Sequence, residues 1–590
     1  MSEHRATVPG AVLDAAGRYP DRAALMHREG QAFRPILYSE LARLVAATAA
    51  DLRSRGIKKG DVVGIASENG PRWTIIDLAA LSIGAIVVPV YPTLPSAQLS
   101  HIISDSRMRL LFVGRGHPER AANEARPAMS SLEDVVRLDE ISIDADSAVS
   151  AGLPDVDVSG EDIATICYTS GTTGTPRGVM LTHGNLASNA WALIERFGIT
   201  EHDVTVSYLP QAHMFERTCG HNVFLFSGGT IAYAESRASA VRDIGIVAPT
   251  VLISVPRVLE RAYEAAVVKV ERGSWLARGL VHRAFTLLNE RSNRRFQSLP
   301  VSPWLAFRCA LYDRLVAARF RAVGGRRLRL IVSGGAGLDR RIGKTLLVFG
   351  FPSVEGYGMT EASPVISCGL VGRHRLGTVG PPISGTDVAI SDEGEILARG
   401  PNIMKGYLGR PEDTAATIDG DGWLHTGDLG EMGDDGNLTV TGRMKDIIVT
   451  SYGKNIMPGP IEERLTDAPI VEQAIVLGDN RKALVALIVA HREEVERLTG
   501  VRGVDEGGYA ALLERDAVRG AARNALRASN DEGASYERVV AYLFAPEGFT
   551  VENGLLTPTL KLRRRAIVDR FSDEIESLYR SLEGRNANQR

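Results

Sequence analysis

Only nine of the 590 residues are lysine within a Lys+Arg total of 68, so arginine carries nearly all the positive charge. A surviving lysine is a position where a compact ammonium is worth asking about. Cysteine is as scarce: Cys167, Cys219, Cys309 and Cys368 lie far apart with no CxxC pair, which excludes a disulfide framework and a zinc cluster. The formal net charge of -3 excludes a whole-chain polyanion binder and leaves a local basic face open. No apolar run reaches transmembrane length. The best candidate, Ile75 to Val90, contains Asp77 and ends among Pro89 and Pro92, which predicts a buried helix-to-strand passage. Met1 to Gly10 has no basic-then-apolar leader, and Ser2 stands where myristoylation requires glycine, so a cytoplasmic protein is expected. What is present is 44% hydrophobic and 24% charged, the balance of a soluble globular chain long enough for two or more domains.

Residues 37 to 115 alternate helical stretches (Tyr38 to Arg55) with β-rich runs (Val62 to Ala66, Ala85 to Val90, Leu110 to Val113), the rhythm of βαβ units on a mostly parallel sheet. Val135 to Asp162 is acidic and rich in Ser, Gly and Asp, which predicts a solvated connection. Strands and helices resume through Gly337. From Gly377 to Gly442 short strands alternate with turns such as Asp392-Glu393-Gly394, which predicts a small antiparallel barrel or sheet. A boundary is expected near Arg443 to Asp446, followed by a small α+β domain closing on an amphipathic segment with Ile567, Phe571, Ile575 and Leu578.

Tyr168-Thr-Ser-Gly-Thr-Thr-Gly-Thr-Pro-Arg-Gly178 holds the most chemistry. Glycines that let backbone approach a ligand, five Ser/Thr hydroxyls and converging N–H groups suit polyphosphate oxygens, although a polar hairpin has the same composition. No Walker sequence is present, and the apolar Val179 to Leu181 predicts a strand after the loop, not a helix, which excludes a P-loop NTPase.

This stretch and its continuation to Asn185 resemble the phosphate-loop signature of the adenylate-forming superfamily: acyl-CoA synthetases, luciferase and peptide-synthetase adenylation domains. Four further motifs follow in the same order: Glu355-Gly-Tyr-Gly-Met-Thr-Glu361, Gly422-Trp-Leu-His-Thr-Gly-Asp428, Gly442-Arg-Met-Lys-Asp446 and Leu556-Thr-Pro-Thr-Leu-Lys561. The resemblance covers nearly the whole chain. It implies an α/β fold in which residues 1–442 form an adenylation domain of two βαβ-type subdomains plus a small β-barrel, and residues 443–590 form a smaller, mobile α+β domain.

The resemblance also implies roles. Thr169, Ser170, Gly171, Thr172, Thr173 and Gly174 hold the ATP phosphates, with Arg177 where lysine is usual; arginine keeps the cation and changes its geometry. Tyr357 stacks on adenine within Glu355, Gly356, Tyr357 and Gly358. Thr360 contacts the α-phosphate, and Glu361 holds Mg²⁺ together with Thr169. Gly334, Gly335 and Ala336 line the adenine and acyl site. Asp428 accepts ribose hydroxyls and Arg443 adds a ribose and phosphate contact, the turn Asp434 to Asn437 bringing the two back together. Lys445 is the hinge, Gly453 and Lys454 belong to a loop on the CoA side, and Lys561 bridges the attacking carboxylate and the α-phosphate. Taken without the resemblance, Gly-Tyr-Gly reads as a turn, Asp428 as an exposed turn carboxylate and Lys561 as part of a basic patch with Arg563, Arg564 and Arg565.

The acyl group is the remaining question. Leu209-Pro-Gln-Ala-His213-Met-Phe-Glu-Arg217 resembles long-chain fatty acyl-CoA synthetases, where this segment borders the acyl tunnel; His213 is a contact for the acyl-adenylate or a packed histidine. Without a tryptophan in the segment, Phe215 is the candidate gate. Residues 268–329 carry fourteen Lys/Arg against three Asp/Glu, interspersed with aromatics, a composition shared by anionic-membrane surfaces, nucleic-acid contacts and plain solvated hairpins. The expectation is a ligase using ATP, Mg²⁺ and coenzyme A on a medium- to long-chain fatty acid. Its alternatives are a fatty acyl-AMP ligase serving a carrier protein, a catalytically silent lipid- or nucleotide-binding homologue and an aryl-acid ligase. No nucleic acid is expected; peripheral contact with the inner face of an anionic membrane and a homodimer are the further options.

Overall fold

The computed structural model describes residues 6–587 apart from 126–130, 142–157, 170–175, 237, 297–298, 323–324, 326, 373–374, 551–552 and 557–561. In chain order the first strands are β1 (Ala23–Glu29), β2 (Ala32–Leu37), β3 (Val62–Ala66), β4 (Ile86–Val90), β5 (Leu110–Val113), β6 (Asp134–Arg137), β7 (Ile163–Thr169) and β8 (Arg177–Thr182). Then come β9 (Val204–Ser207), β10 (Thr230–Tyr233), β11 (Val251–Ser254), β12 (Leu330–Gly334), β13 (Ser353–Gly358), β14 (Val365–Cys368), β15 (Asp387–Ile390), β16 (Glu395–Arg399) and β17 (Gly406–Tyr407). The last are β18 (Leu424–Met432), β19 (Leu438–Arg443), β20 (Ile448–Val449), β21 (Asn455–Ile456), β22 (Val471–Leu477), β23 (Leu484–Ala490) and β24 (Val539–Phe544).

The chain packs as two compact units: Met1–Ala389 with Leu397–Thr426 and Met432–Thr439, and Ile390–Ile396 with Gly427–Glu431 and Val440–Arg590. In the first, a seven-stranded sheet runs β17-β8-β7-β4-β3-β5-β6. Its β7-β4-β3-β5-β6 part is parallel, as the βαβ rhythm requires, and β8 and β17 add an antiparallel edge. Period-two alternation sends Val63 and Ile65 of β3 to one face, where Trp73, Ile75 and Ile76 of the Pro71–Ser82 helix cover them. Val62 and Ala66 face Leu99, Ile102 and Ile103 of the Ser96–Ser106 helix. The Ile75 to Val90 run is thus a buried helix followed by a buried strand. Within the acidic connection the structure differs from expectation: Asp134–Arg137 is a strand, its Val136 buried and its register set against β5. A short edge strand tolerates the Asp and Arg at its ends, which is why composition pointed to solvent.

Two four-stranded sheets, β2-β1-β10-β9 and β11-β12-β13-β14, complete the αβ body, and β15-β16-β18-β19 form a curled half-barrel. In the second unit β22-β23-β24 is covered on both faces: Val476, Ala486 and Ile488 by Ile461, Leu465 and Leu526, and Ile475, Val485 and Leu487 by Ile567, Phe571 and Ile575. The closing amphipathic segment is two helices, Arg564–Arg570 and Ser572–Ala587, broken at Phe571. All four cysteines are buried and none is disulfide-bonded; burial raises the Cys167 and Cys219 thiols and pushes Cys368 up to about 12. Among the described residues no helix is long and apolar enough to cross a membrane.

Candidate functional site

Strands β7 and β8 form an antiparallel pair whose last register is Thr169 opposite Arg177, with Tyr168 opposite Gly178. The phosphate-loop residues Ser170, Gly171, Thr172, Thr173 and Gly174 lie between these strands and outside the described residues. A side chain at 178 would place its Cβ 2.8 Å from Ile166 and 3.2 Å from the Tyr168 ring, so glycine lets the two strands close beneath the loop. Arg177 does not extend as a free cation. Its guanidinium lies 4.4 Å from the Tyr407 ring centre, with Asp413 at 3.7 Å.

Tyr407 leads to the second motif, because its hydroxyl donates to Glu361 Oε1 at 2.9 Å. Burial, and then the Glu361 charge, holds the Tyr407 phenol above its ordinary value, so it stays a donor at neutral pH. Glu361 sits in the one-turn 3₁₀ helix Thr360–Ala362, and buried asparagines tie that turn down. Asn402 Nδ2 donates to Ala362 O at 3.1 Å and Val365 O at 3.2 Å; Asn189 Nδ2 donates to the same carbonyls at 3.3 and 2.7 Å. Thr218 Oγ1 donates to Ser363 O at 3.0 Å, and Met404 N to Glu361 O at 2.8 Å. At Gly358 a Cβ would meet Pro364 O at 1.8 Å, while Met359 N donates to that carbonyl, so the chain turns here only with glycine.

Strand β13 delivers Glu355, Gly356, Tyr357 and Gly358 beside β12, in register Ser333 to Glu355 and Gly334 to Gly356. Leu338 N donates to Glu355 Oε2 at 3.1 Å, which folds the loop after β12, containing Gly335 and Ala336, back over β13. Gly335 has φ +89, the left-handed region that makes this bend possible. Phe215 packs its ring 2.9 Å from where a Cβ at Gly334 would stand. His213 Nδ1 accepts Phe215 N–H at 3.1 Å, so the neutral ring carries its proton on Nε2. Next to it Arg217 is fully buried, forming a two-pronged ion pair with Asp77, donating to Thr165 at 2.7 Å and lying against Trp73. This pairing explains why an aspartate interrupts the apolar Ile75 to Val90 run.

Within the second unit Asp428 Oδ1 meets Arg443 Nε at 2.9 Å, a buried carboxylate against a half-exposed guanidinium. Gly427, at φ +71, donates to Glu395 Oε1 at 2.8 Å and sets the approach. Lys445 is exposed in the 3₁₀ turn Met444–Asp446, directly after Arg443. Gly453 and Lys454 close a tight hairpin between β20 and β21, with Thr450 N donating to Lys454 O at 3.0 Å and Gly453 at φ +71. Lys561 lies outside the described residues, in a stretch flanked by a bridge between Leu556 and Leu562.

The AMP-binding enzyme model matches residues 12–408, and the AMP-binding enzyme C-terminal domain model matches 445–583. The chain belongs to the AMP-binding enzyme family. It is 32% identical to the long-chain-fatty-acid–CoA ligase FadD15 of Mycobacterium bovis, covering 92% of each chain. It is 31% identical to the rat long-chain-fatty-acid–CoA ligase 5, over 94% of this chain and 86% of that one. The fold is that of ATP-bound MatB from Rhodopseudomonas palustris, with a TM-score of 0.73 at 23% identity over 96% of this chain and 99% of that one.

Several residues around the Thr360–Ala362 turn and in the neighbouring Glu216–Asn222 helix were not legible in advance: Tyr407, Asn189, Asn402 and Glu216. A buried-face Asn between Leu186 and Leu193, and the turn-rich run Gly400 to Tyr407, were the available signals. Glu216 is 2% exposed, in the π-helix Glu216–Asn222, and its Oε1 has no hydrogen-bond partner among the described residues. Burial pushes its carboxyl up to about 8, against hydrogen bonding with Ser207, so it is a neutral acid at pH 7.

Proposed function

We propose that the chain activates a medium- to long-chain fatty acid. The fatty carboxylate attacks the α-phosphorus of ATP, pyrophosphate leaves, and the acyl-adenylate forms. The thiol of coenzyme A then attacks the acyl carbon, a proton is lost from sulfur, and AMP departs with the anhydride oxygen. The observation that carries the reading is the pinned Thr360–Ala362 turn, which holds Glu361 against Tyr407 by hydrogen bonds from buried residues on three separate segments. The names of the curated relatives supply the substrate class.

Each proposed role follows from chemistry at its position. Thr169 to Gly174 receive the phosphates, Tyr357 the adenine, and Gly334 to Ala336 the edge of adenine and the acyl head. Thr360 contacts the α-phosphate, and His213, through its Nε2–H, donates toward the acyl-adenylate. Asp428 and Arg443 serve ribose and phosphate, Lys445 the pivot between half-reactions, Gly453 and Lys454 the thiol side. Lys561 places a point charge between carboxylate and α-phosphate, where charge builds in the transition state. Domains of 1–442 and 443–590 remain the working division. The site also suits Mg²⁺: Glu361 uses one oxygen for Tyr407, and its other accepts no hydrogen bond among the described residues, leaving a hard anionic donor. Thr169 and Glu361 would hold the ion, which when bound offsets phosphate charge.

A panel of carboxylates of graded length, scored for ATP–pyrophosphate exchange and then for product with coenzyme A or a carrier protein, tests this. Exchange rising with chain length and thioester formation on free coenzyme A is the expected result. Exchange with aryl acids alone, or transfer only to carrier protein, would replace it.

A further inference from the structure

The helix beginning at Pro303 continues through a π-turn at Asp313–Ala317 to Arg321 and carries two apolar stripes. The inward one, Leu305, Cys309, Val316 and Ala317, packs on Ala284, Leu287 and Leu288 of the Trp275–Phe296 helix, with Cys309 Sγ 3.3 Å from Leu287 O. This one is ordinary core. The outward one is Trp304, Phe307, Leu311 and Leu315, 67%, 62%, 47% and 39% exposed. Spacings of three, four and four residues keep these side chains on one face, along about 16 Å of helix. Trp304 and Phe307 stack at 5.9 Å with an 18° tilt, a flat aromatic platform open to solvent. Trp275 and Leu276, at the start of the partner helix, are exposed too.

Arg308, Arg314 and Arg319 lie on the same helix as this stripe, Arg314 and Arg319 exposed and Arg308 half-buried. Among the described residues none of the three has a carboxylate within 4.0 Å, while Arg321, turned inward, pairs with Asp313 at 2.7 Å. An aliphatic and aromatic ridge with unpaired arginines on the same helix matches the headgroup–acyl boundary of an anionic bilayer, where apolar side chains insert and guanidiniums meet phosphate. A second copy fits less well. Stripe-to-stripe packing would bring both sets of arginines together, and residues 268–329 hold only three carboxylates to oppose them. Nucleic acid offers phosphates but leaves Leu311 and Leu315 uncovered.

We propose that the Trp304–Leu315 stripe docks the protein on anionic membrane, lying in the interface. The proposal stands whichever carboxylate the enzyme activates. The test is co-sedimentation of the full-length protein with phosphatidylcholine vesicles, with and without phosphatidylglycerol, at low and high salt. Binding to the anionic vesicles alone, weakened by salt, is expected. Replacing Trp304, Phe307 and Leu311 together by serine should lower partitioning at least about tenfold, and each of Arg308→Gln, Arg314→Gln and Arg319→Gln by about fivefold. Thermal midpoints equal to the parent establish that the variants fold, and Tyr536→Ser, an exposed change far along the chain, should leave partitioning unaltered. Equal binding of parent and serine variant overturns the proposal, as does equal binding to neutral and anionic vesicles. Sedimentation velocity showing a dimer abolished by the serine changes, without vesicle binding, transfers the stripe to a second copy. Salt-sensitive binding of nucleic acid without vesicle binding transfers it to that partner.

Discussion

Tyr407 joins two motifs that lie far apart in sequence: its hydroxyl donates to Glu361 Oε1 at 2.9 Å while its ring supports Arg177, the last cation of the phosphate-loop segment, at 4.4 Å. A neutral donor holds Glu361 in place without cancelling its charge. The carboxylate is therefore oriented without a countercharge from Tyr407, as a ligand for a divalent cation should be.

Tyr407→Phe keeps the ring under Arg177 and removes only the donor. A hydrogen bond to a charged group contributes about 1.5–3 kcal/mol. The expected result is a pyrophosphate-exchange rate lowered roughly tenfold or more, with half-saturation by Mg²⁺ moved to higher concentration. Titrating Mg²⁺ against exchange checks it; an unchanged Mg²⁺ dependence would separate Tyr407 from Glu361 function.

Asn402→Asp is nearly isosteric but turns a donor toward two carbonyls into an acceptor. The buried Ala362 and Val365 carbonyls then rely on Asn189 alone, at an expected cost of about 1–3 kcal/mol in stability. Turnover should fall as well, since Thr360 and Glu361 ride on this turn. Urea denaturation and exchange kinetics on the same preparation report both.

Glu216 gives a pH signature whose sign is fixed. Its ordinary value of 4.5 is raised to about 8 in the fold, so between those values the native state holds a proton that the unfolded chain has lost. Stability contributed by this group is therefore greatest at low pH, falls as pH rises from about 4.5, and levels off above about 8. The span is on the order of 3–5 kcal/mol. Glu216→Gln should flatten that slope in denaturation midpoints measured from pH 5 to pH 8, on the order of the same window; a slope identical to the parent would place the titration elsewhere.

Lys561→Ala and Arg443→Ala should separate chemistry from binding. Loss of Lys561 is expected to abolish carboxylate-dependent exchange with little effect on ATP affinity. Loss of Arg443, which reaches Asp428 from a half-exposed position, should raise the KM for ATP about tenfold with the thermal midpoint unchanged. Isothermal titration with ATP alongside exchange kinetics distinguishes the two, and near-normal exchange in Lys561→Ala would remove that residue from its role.

The strand after the phosphate loop was readable because the short apolar run Val179 to Leu181 follows glycines at 171, 174 and 178. Strand β13 was not readable in this way: Gly356-Tyr357-Gly358 reads alone as a turn, whereas all three residues lie in the strand, with Gly358 packed against the Pro364 backbone. What joins them could not be read either. Tyr407 lies 46 residues from Glu361, and Asn189 acts on carbonyls 173 and 176 residues away, contacts that no local period encodes. The π-helix at Glu216 was hidden for a related reason: its carboxyl is stabilised neutral by burial, and charge at a buried position reads from sequence as surface. The Asp134–Arg137 strand was missed because its ends are charged and only Val136 is buried.

The burial of all four cysteines has a practical consequence for watching this enzyme work. A cysteine introduced at Tyr452, 71% exposed at the tip of the β20–β21 hairpin, would be the sole thiol open to a maleimide dye while the protein stays folded. Paired with a second engineered site on the first unit, it would let fluorescence transfer test whether the two units move between the proposed half-reactions.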